Sequence, residues 1–515
     1  MDLILFIIVM LSNTSTASFG FLSFMLLICG LATVYSMSFN IGEFWSYFYL
    51  AHATSIANVE GQPHINDKDL EAIVVVEGLK HPTSMAFLGP NDFVVLEKKT
   101  GMVKRILNGT ISEKPLLDVE VANEKERGML GVAIPKNDNQ SGKNFQKEND
   151  FLDNHLSYVF LYYTESSGKD GNDDCPLVNY CKEGTEPKGN RLYRYDLEQD
   201  KLANPKLLLD LPANPGSDHL GGAVVIGPDR NVYLTTGDGD SCSYHSCDKG
   251  VKDTVLNSQT ANVESGNMPE GRGGILRITQ DGLPVSEERQ KGIFHEDGIL
   301  SKYYAYGIRN SYGIDFDPLS GKLWDTENGP AFGDEINLVK PGFNSGWMKI
   351  QGIWPISNYT LLYPQRLVPP YSGYFVSDND EFISGKGVDQ KDLVDFQGQG
   401  KYSDPEFIWN MTVGVTALKF LDSNKLGEKY KNDMFVADYN NGNLYHFDLN
   451  TDRTKLVFND GVTDRMVHSL QKEELDPILF GEGFDSVTDL EVGPDGYLYV
   501  VSYKQGKIFK IVLAG

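Results

Sequence analysis

The feature that most constrains the fold is a short unit that recurs along the chain. Each copy has an apolar run and a turn containing proline, as at Met85–Pro90, Ile226–Asp229, Phe316–Pro318 and Val492–Gly496. A second apolar run follows each turn, and such pairs of runs predict β-hairpins. Because the copies are spread over most of the chain, they indicate repeated blades around a ring. A four-stranded blade takes about 40–50 residues, so residues 71–515 have room for roughly six to eight blades.

One copy of the unit carries a histidine of chemical interest. Asp218 and His219 precede its first apolar run, and Asp238 follows the second run, Val232–Leu234. Antiparallel pairing of the two runs brings these ends together, so a carboxylate can orient the imidazole as a general base. A histidine that merely forms a hydrogen bond on a surface loop is the alternative interpretation.

Other motifs flank this histidine in a defined order. They are Glu126–Gly131 before it, then Gly307–Gly313, Glu327–Pro330 and Asp334–Asn337 after it. Together with the histidine segment they resemble the glucose/sorbosone dehydrogenase family, over about residues 71–515. The best-known members of that family are soluble sugar dehydrogenases that use pyrroloquinoline quinone (PQQ) and calcium. The resemblance implies an all-β fold, namely a six-bladed β-propeller of four-stranded antiparallel blades.

Both ends of this region are strand-like and need partners, at Ile73–Val76 and at Lys507–Leu513. Closing a ring of blades removes open sheet edges, which otherwise favour aggregation. We therefore expect these two runs to pair within one blade. No low-complexity linker divides residues 71–515, so the sequence predicts one domain there.

The resemblance implies a role for each site residue. His219 would remove the proton from the sugar C1 hydroxyl as hydride passes to the quinone, with Asp238 supporting the imidazole. Arg309 and Asn310 would contact the quinone oxygens, where a cation stabilises developing negative charge. The other residues implied at the cofactor or at calcium are Glu126, Asp218, Gly329, Pro330 and Glu335.

These last five residues differ in what they would contribute. Glu126 stands where the soluble glucose enzyme has glutamine, and Asp218 would lie near the cofactor. The backbone carbonyls of Gly329 and Pro330 would bind the calcium ion of the cofactor, and Glu335 matches a carboxylate at a calcium site. Hard oxygen ligands of this kind suit calcium. A purely structural role is the alternative for each of them.

The anchoring of PQQ departs from the family pattern. The soluble enzymes hold the three PQQ carboxylates with a lysine and two arginines, whereas the matching positions here are Asn440, Ser486 and Thr488. A charge-assisted hydrogen bond contributes about 1.5–3 kcal/mol. Losing three of them predicts much weaker cofactor binding unless basic residues on the loops replace them.

The net charge of −25 argues against a nucleic-acid partner, because phosphates select basic surfaces. Residues 1–42 carry only one charge, Asp2, and include the apolar run Phe19–Tyr35. We therefore expect a hydrophobic N-terminal helix at 1–42, as a membrane anchor or a cleaved signal, and a linker at 43–70. The rest of the chain would then be exported, with membrane contact only through this segment.

The cysteines agree with export. Cys29 lies in the apolar segment, and the others form two close pairs, Cys175 with Cys181 and Cys242 with Cys247. Close pairs in exported chains usually form local disulfides, which is the prediction here. A single four-thiolate zinc site is the alternative.

Two classes of function fit these observations. The first is a PQQ- and calcium-dependent aldose dehydrogenase, acting on a small sugar and passing electrons to an unknown acceptor. The second is a propeller that has lost its cofactor and serves as an extracellular binding module. A metal-dependent hydrolase of the lactonase kind is a third. His219, Arg309 and Gly329-Pro330 favour the dehydrogenase, and the three uncharged anchor positions favour the binding module.

Overall fold

The computed structural model describes residues 63–135, 157–166, 186–214, 216–239, 258–285, 294, 298–330, 332–353, 390–458, 461–462, 464–469 and 471–515. The predicted N-terminal helix at 1–42 and all five cysteines lie outside the described residues, so those predictions stay predictions. Within the described ranges, no helix has the length and apolar character that a membrane span requires.

The described chain consists mainly of β-strands. In chain order they are β1 (His64–Ile65), β2 (Leu70–Glu77), β3 (Pro82–Gly89), β4 (Asp92–Glu97), β5 (Met102–Leu107), β6 (Thr110–Ile111), β7 (Leu117–Asp118), β8 (Met129–Ala133), β9 (Ser157–Ser166), β10 (Pro187–Glu198), β11 (Lys201–Leu211), β12 (Val224–Ile226), β13 (Val232–Thr236), β14 (Gly274–Ile278), β15 (Tyr303–Tyr306), β16 (Ser311–Phe316), β17 (Leu323–Glu327), β18 (Phe332–Val339), β19 (Phe343–Asn344), β20 (Lys401–Tyr402), β21 (Phe407–Met411), β22 (Val415–Phe420), β23 (Met434–Asp438), β24 (Leu444–Leu449), β25 (Leu456–Val457), β26 (Met466–Val467), β27 (Leu479–Glu482), β28 (Val487–Val492), β29 (Leu498–Ser502) and β30 (Lys507–Leu513). The described helices are short: one α-helical turn, α1 (Lys472–Leu475), and 3₁₀ turns at Gln259–Ala261, Leu300–Lys302, Gln390–Asp392 and Glu428–Tyr430.

These strands form six sheets, which we name I to VI in chain order. Sheet I contains β3–β7, sheet II β8–β11, sheet III β12–β15 with β19 and β20, sheet IV β16–β18 with β21 and β26, sheet V β22–β25 with β27 and β1, and sheet VI β28–β30 with β2. In five of them the main strands come from one continuous stretch of chain, whereas sheet VI joins the two ends of the described chain. The fold is an all-β propeller.

Apolar side chains hold consecutive sheets together face to face. One buried cluster lies between sheets II and III and contains Phe160 and Leu234. Another lies between sheets IV and V, where Trp409 packs with Tyr445. Neighbouring sheets also meet through their first strands, β3, β8, β12, β16, β22 and β28. Alternation along each strand sends apolar side chains to both neighbours, which is why the core is a series of layers.

The predicted fold class, a six-bladed β-propeller of four-stranded antiparallel blades, is wrong as stated. Only sheets II and VI have four strands, and sheets III and IV contain the parallel pairs β15–β19, β19–β20 and β21–β26. The added strands have two residues each, too few to show an alternating apolar pattern. β19 and β20 come from the connection between β18 and β21 of sheet IV, and β26 comes from the connection between β25 and β27 of sheet V. Each supplies partners to backbone groups at the edge of the preceding sheet.

The predicted pairing of the two chain ends is confirmed. In sheet VI, β2 runs antiparallel to β30, with Leu70 opposite Leu513 and Glu77 opposite Lys507. The predicted linker at 43–70 also contains β1, which pairs with β27 of sheet V. Residues 61–515 form one compact unit.

Candidate active site

The predicted site residues lie on one face of the ring of sheets. Glu126, His219 and Arg309 each come just before the first strand of a sheet, at β8, β12 and β16. Asp238 and Gly329 come just after the second strands β13 and β17, which pair antiparallel with β12 and β16. The end of a second strand adjoins the start of the first strand beside it, so these residues gather at the same end of the ring.

His219 and Asp238 come together as the hairpin predicted. His219 Nδ1 lies 2.8 Å from Asp238 Oδ1, and Trp347 Nε1 donates to Asp238 Oδ2 at 2.8 Å. Arg309 Nη2 donates to His219 Nε2 at 2.7 Å. A guanidinium only donates hydrogen bonds, so we assign the lone pair to Nε2 and the proton to Nδ1. The basic nitrogen of the imidazole therefore lies on the side of Arg309.

Arg309 joins this histidine to the loop that follows β17. Its Nη1 donates to the backbone carbonyls of Asn328 at 3.0 Å and Gly329 at 3.1 Å. Its guanidinium carbon lies 5.4 Å from the centre of the Trp347 ring. The backbone N–H of Arg309 donates to Oε1 of the buried Glu327 at 2.7 Å. Two carbonyl oxygens and one imidazole nitrogen thus converge on a single, largely buried cation.

Glu126 contacts the backbone of the histidine segment. Its Oε2 accepts hydrogen bonds from the backbone N–H of His219 at 2.7 Å and of Leu220 at 3.4 Å, and from the Tyr312 hydroxyl at 3.3 Å. The φ angle of His219 is 56°, in the left-handed region. That conformation costs about 1–3 kcal/mol in a residue other than glycine. The bonds to Glu126 offset this cost and fix the direction in which the imidazole projects.

Lys98 in turn positions Glu126, and nothing in the sequence pointed to it. Its ammonium donates to the backbone carbonyls of Lys125 at 2.5 Å and Arg127 at 2.7 Å, on either side of Glu126. Burial lowers the pKa of Lys98 to about 7, because the charged form loses its water. In the sequence Lys98 stands beside Lys99 in a polar stretch, and no spacing distinguishes the two.

Replacement of Glu126 by alanine is expected to lower both stability and turnover, whereas glutamine should preserve most of both. Alanine leaves the His219 N–H without its acceptor, and an unsatisfied donor costs about 1–3 kcal/mol. Glutamine keeps an acceptor oxygen on a side chain of the same length. Thermal melts and steady-state rates of the two variants test this. A Glu126→Ala variant with the wild-type rate would show that this carboxylate does not position the histidine.

Two other predicted cofactor contacts are engaged within the protein. Asp218 Oδ2 lies 2.7 Å from Lys125 Nζ. Asn310 Oδ1 accepts the backbone N–H of Gly221 at 3.0 Å, so it fixes the turn between His219 and β12. In the described part of the chain, neither side chain is hydrogen-bonded to the imidazole.

Glu335, predicted as a calcium ligand, lies within β18 and is buried. Its Oε1 accepts from Gln351 Nε2 at 2.9 Å and from the backbone N–H of Gly352 at 2.6 Å. Asn337 Nδ2 donates to Oε2 at 3.1 Å. Burial raises the pKa of Glu335 to about 8. These contacts are separate from those of Gly329, so the predicted calcium ligands divide between two environments.

The other predicted calcium ligands lie in the loop after β17. Pro330 is half-buried, and the Gly329 backbone N–H donates to Asp334 Oδ1 at 2.8 Å. The carbonyls of Asn328 and Gly329 both accept from the guanidinium of Arg309. Two hard oxygens that face a cation are the kind of donor set that calcium takes. A calcium ion at the Gly329 carbonyl would require Arg309 to turn away from it.

The three positions expected to anchor PQQ lie in sheets V and VI. They are Asn440, after β23, Ser486, before β28, and Thr488, within β28. The hydroxyl of Thr488 donates to the carbonyl of Pro82 at 3.0 Å, so it is already engaged. The ammonium of Lys504 lies in this region. Its Nζ is 3.5 Å from Asp485 Oδ1 and 5.5 Å from the centre of the Tyr439 ring. Lys504 is a basic residue beside the substituted positions that sequence order alone did not reveal.

The chain is similar to a family of sugar dehydrogenases. The family model described as Glucose / Sorbosone dehydrogenase matches residues 79–360, more than half of the chain. Quinoprotein glucose dehydrogenase B of Acinetobacter calcoaceticus is 25% identical over 401 residues, covering 73% of this chain and 77% of the relative. Aldose sugar dehydrogenase YliI of Escherichia coli (strain K12) is 23% identical over 444 residues, covering 85% and 91%. The structure of the PQQ-bound form of the aldose sugar dehydrogenase from Streptomyces coelicolor matches with a TM-score of 0.52 and 18% identity, covering 88% of this chain and all of that one.

Proposed function

Because the chain belongs to the glucose/sorbosone dehydrogenase family, we propose that it oxidises an aldose sugar at C1 to the lactone with PQQ and calcium. The observation that carries the proposal is the contact of His219 with both Asp238 and Arg309. Two relatives, matched over 77% and 91% of their own length, are named as a glucose dehydrogenase and an aldose sugar dehydrogenase.

In this proposal His219 is the general base. Asp238 accepts a hydrogen bond from Nδ1–H and thereby leaves the lone pair of Nε2 to take the proton of the sugar C1 hydroxyl. Bound PQQ would supply the acceptor for the hydride that leaves C1. Trp347, through its bond to Asp238, keeps the carboxylate in the orientation that the imidazole needs.

In the proposed reaction Arg309 takes a position different from the one that it has in the structure. In the structure its guanidinium donates hydrogen bonds to Nε2 of His219 and to the carbonyls of Asn328 and Gly329. A guanidinium that turns toward the quinone oxygens, which Asn310 would also contact, would free Nε2 of His219 for the sugar. It would also free the Gly329 carbonyl, which beside that of Pro330 would hold calcium. The same charge would then stabilise the negative charge that develops during the reaction.

Reconstitution tests the proposal. Purified protein supplied with PQQ and calcium should gain a quinone absorbance that an aldose bleaches, and it should reduce an electron-accepting dye only when sugar is present. Calcium removal by chelation should abolish both signals. A folded protein that stays silent across a panel of aldoses, with PQQ and calcium in excess, contradicts the proposal.

One observation favours a second candidate, a cofactor-free binding module. The expected cationic anchors are replaced by Asn440, Ser486 and Thr488, and the Thr488 hydroxyl is bound to Pro82. In that case PQQ fails to bind in the reconstitution, and substitutions at His219 leave no measurable change.

We further propose that the protein works outside the cytoplasm, held or exported by residues 1–42, and passes electrons to an acceptor of unknown identity.

A further inference from the structure

Three potential metal ligands gather in sheet V, away from every residue assigned above. Asp433 stands just before β23, and His446 and Asp448 lie on β24. His446 Nε2 is 3.0 Å from Asp433 Oδ2 and 3.7 Å from Asp448 Oδ1. One ligand atom of each residue lies within 4.8 Å of the other two.

The strand register makes this arrangement a property of the fold. Met434 pairs with Phe447 across β23 and β24, so the preceding Asp433 falls opposite Asp448. His446 is two residues from Asp448 on the same strand and shares its face. Like charges placed directly opposite each other in a sheet are destabilising unless something positive lies between them.

In the part of the chain that the structure describes, neither lysine nor arginine pairs with these two carboxylates. Among the described residues, His446 is the only basic side chain within ion-pair distance of either carboxylate. Two carboxylates and one imidazole thus face each other with an excess of negative charge, which a divalent cation would neutralise.

The imidazole is also held in place before any ion arrives. Its ring lies 5.0 Å from that of Tyr430, 5.2 Å from that of Phe435 and 6.4 Å from that of Phe480. This packing limits the ring to an orientation in which Nε2 points at the carboxylates. Asp448 is the open side of the cluster, with 41% of its side chain exposed, so an ion and water ligands can reach the site.

We propose that Asp433, His446 and Asp448 bind a divalent transition-metal ion of the zinc type, with water completing the coordination. One imidazole and two carboxylates suit zinc, whereas calcium prefers oxygen ligands alone. Bonds of about 2.0–2.2 Å in a tetrahedral site place ligand atoms roughly 3.3 Å apart. The two separations from His446 lie close to that value, and all three ligand atoms lie within 4.8 Å of one another. The bound ion ties β23 to β24.

The test uses the whole protein, stripped of metal and titrated with Co²⁺ as a spectroscopic probe and with Zn²⁺ by calorimetry. Wild type should develop visible Co²⁺ absorption and melt at a higher temperature with Zn²⁺. His446→Gln should weaken the binding by more than about tenfold. The exposed His64, on β1, gives the matched control, and His64→Gln should bind as wild type does.

Asp448→Asn provides a second variant if His446→Gln fails to fold, because Asp448 is partly exposed and its replacement disturbs little packing. It should weaken Co²⁺ binding as well. Neither variant changes the binding of metal elsewhere in the chain, so the comparison with wild type isolates the binding at this site. Binding by His446→Gln or Asp448→Asn that equals wild type overturns the proposal. So does a wild-type protein whose Co²⁺ spectrum and melting temperature do not respond to the ion.

Discussion

Replacement of His219 by glutamine is expected to reduce sugar-dependent dye reduction by about 10²–10⁴-fold, the usual cost of losing a general base. Glutamine fills a similar volume and still offers an amide to Asp238, so the loop keeps its shape. It offers no basic nitrogen on the side of Arg309, so the proton of the sugar hydroxyl has no acceptor. Steady-state rates with PQQ and calcium present at saturation measure the loss.

The controls for this variant separate catalysis from folding. The melting temperature and the calcium affinity of His219→Gln should match those of wild type, because neither the core nor the carbonyls proposed to bind calcium change. His64→Gln, an exposed substitution on β1, should leave the rate unaltered. If His219→Gln turned over sugar at the wild-type rate, His219 would not be the base.

Replacement of Arg309 by alanine should produce the second large loss of turnover, together with a gain in calcium affinity that distinguishes this variant. Turnover should fall roughly 10²–10³-fold, as when one donor to a developing negative charge is removed, and PQQ should bind less tightly. In the absence of PQQ, calcium should bind more tightly than to wild type, because the guanidinium no longer occupies the Gly329 carbonyl. Isothermal titration of the two proteins with calcium measures that gain.

Arg309→Lys is the matched control for charge. A lysine retains the positive charge but lacks the planar fork that reaches both the imidazole and the carbonyls. Its rate should fall between those of wild type and Arg309→Ala. Calcium affinity that stays unchanged in Arg309→Ala would contradict the view that Arg309 stands in the place of the ion.

The hairpin around the histidine was predictable from local sequence. Val224–Ile226 and Val232–Thr236 pair through a short turn, and any antiparallel pairing of this length brings His219 near Asp238. The pairing of the chain ends followed from the same reasoning, since two strand-like runs needed partners. In both cases the prediction depended only on alternation and turn residues, which are properties of short segments.

Contacts between distant segments were not predictable in this way. Trp347 reaches Asp238, and Lys98 reaches the carbonyls around Glu126, only because the ring brings separate sheets together. The burial of Glu335 and its hydrogen bonds within the protein were not predictable either. The sequence pattern of β18 does not show which of its carboxylates is bonded to other segments. The two-residue strands of sheets III and IV were missed because so short a segment has no pattern.

The pairing of β2 with β30 also has a consequence for the order in which the molecule is made. A ribosome delivers β2 near the beginning of the described chain and β30 at its end, so β2 waits for its partner while almost everything else is synthesised. Contacts of such high sequence separation form late and slowly. The seven residues of β30 therefore complete sheet VI last. Until they emerge, β2 and β29 are exposed edges that a chaperone or a second nascent chain can engage.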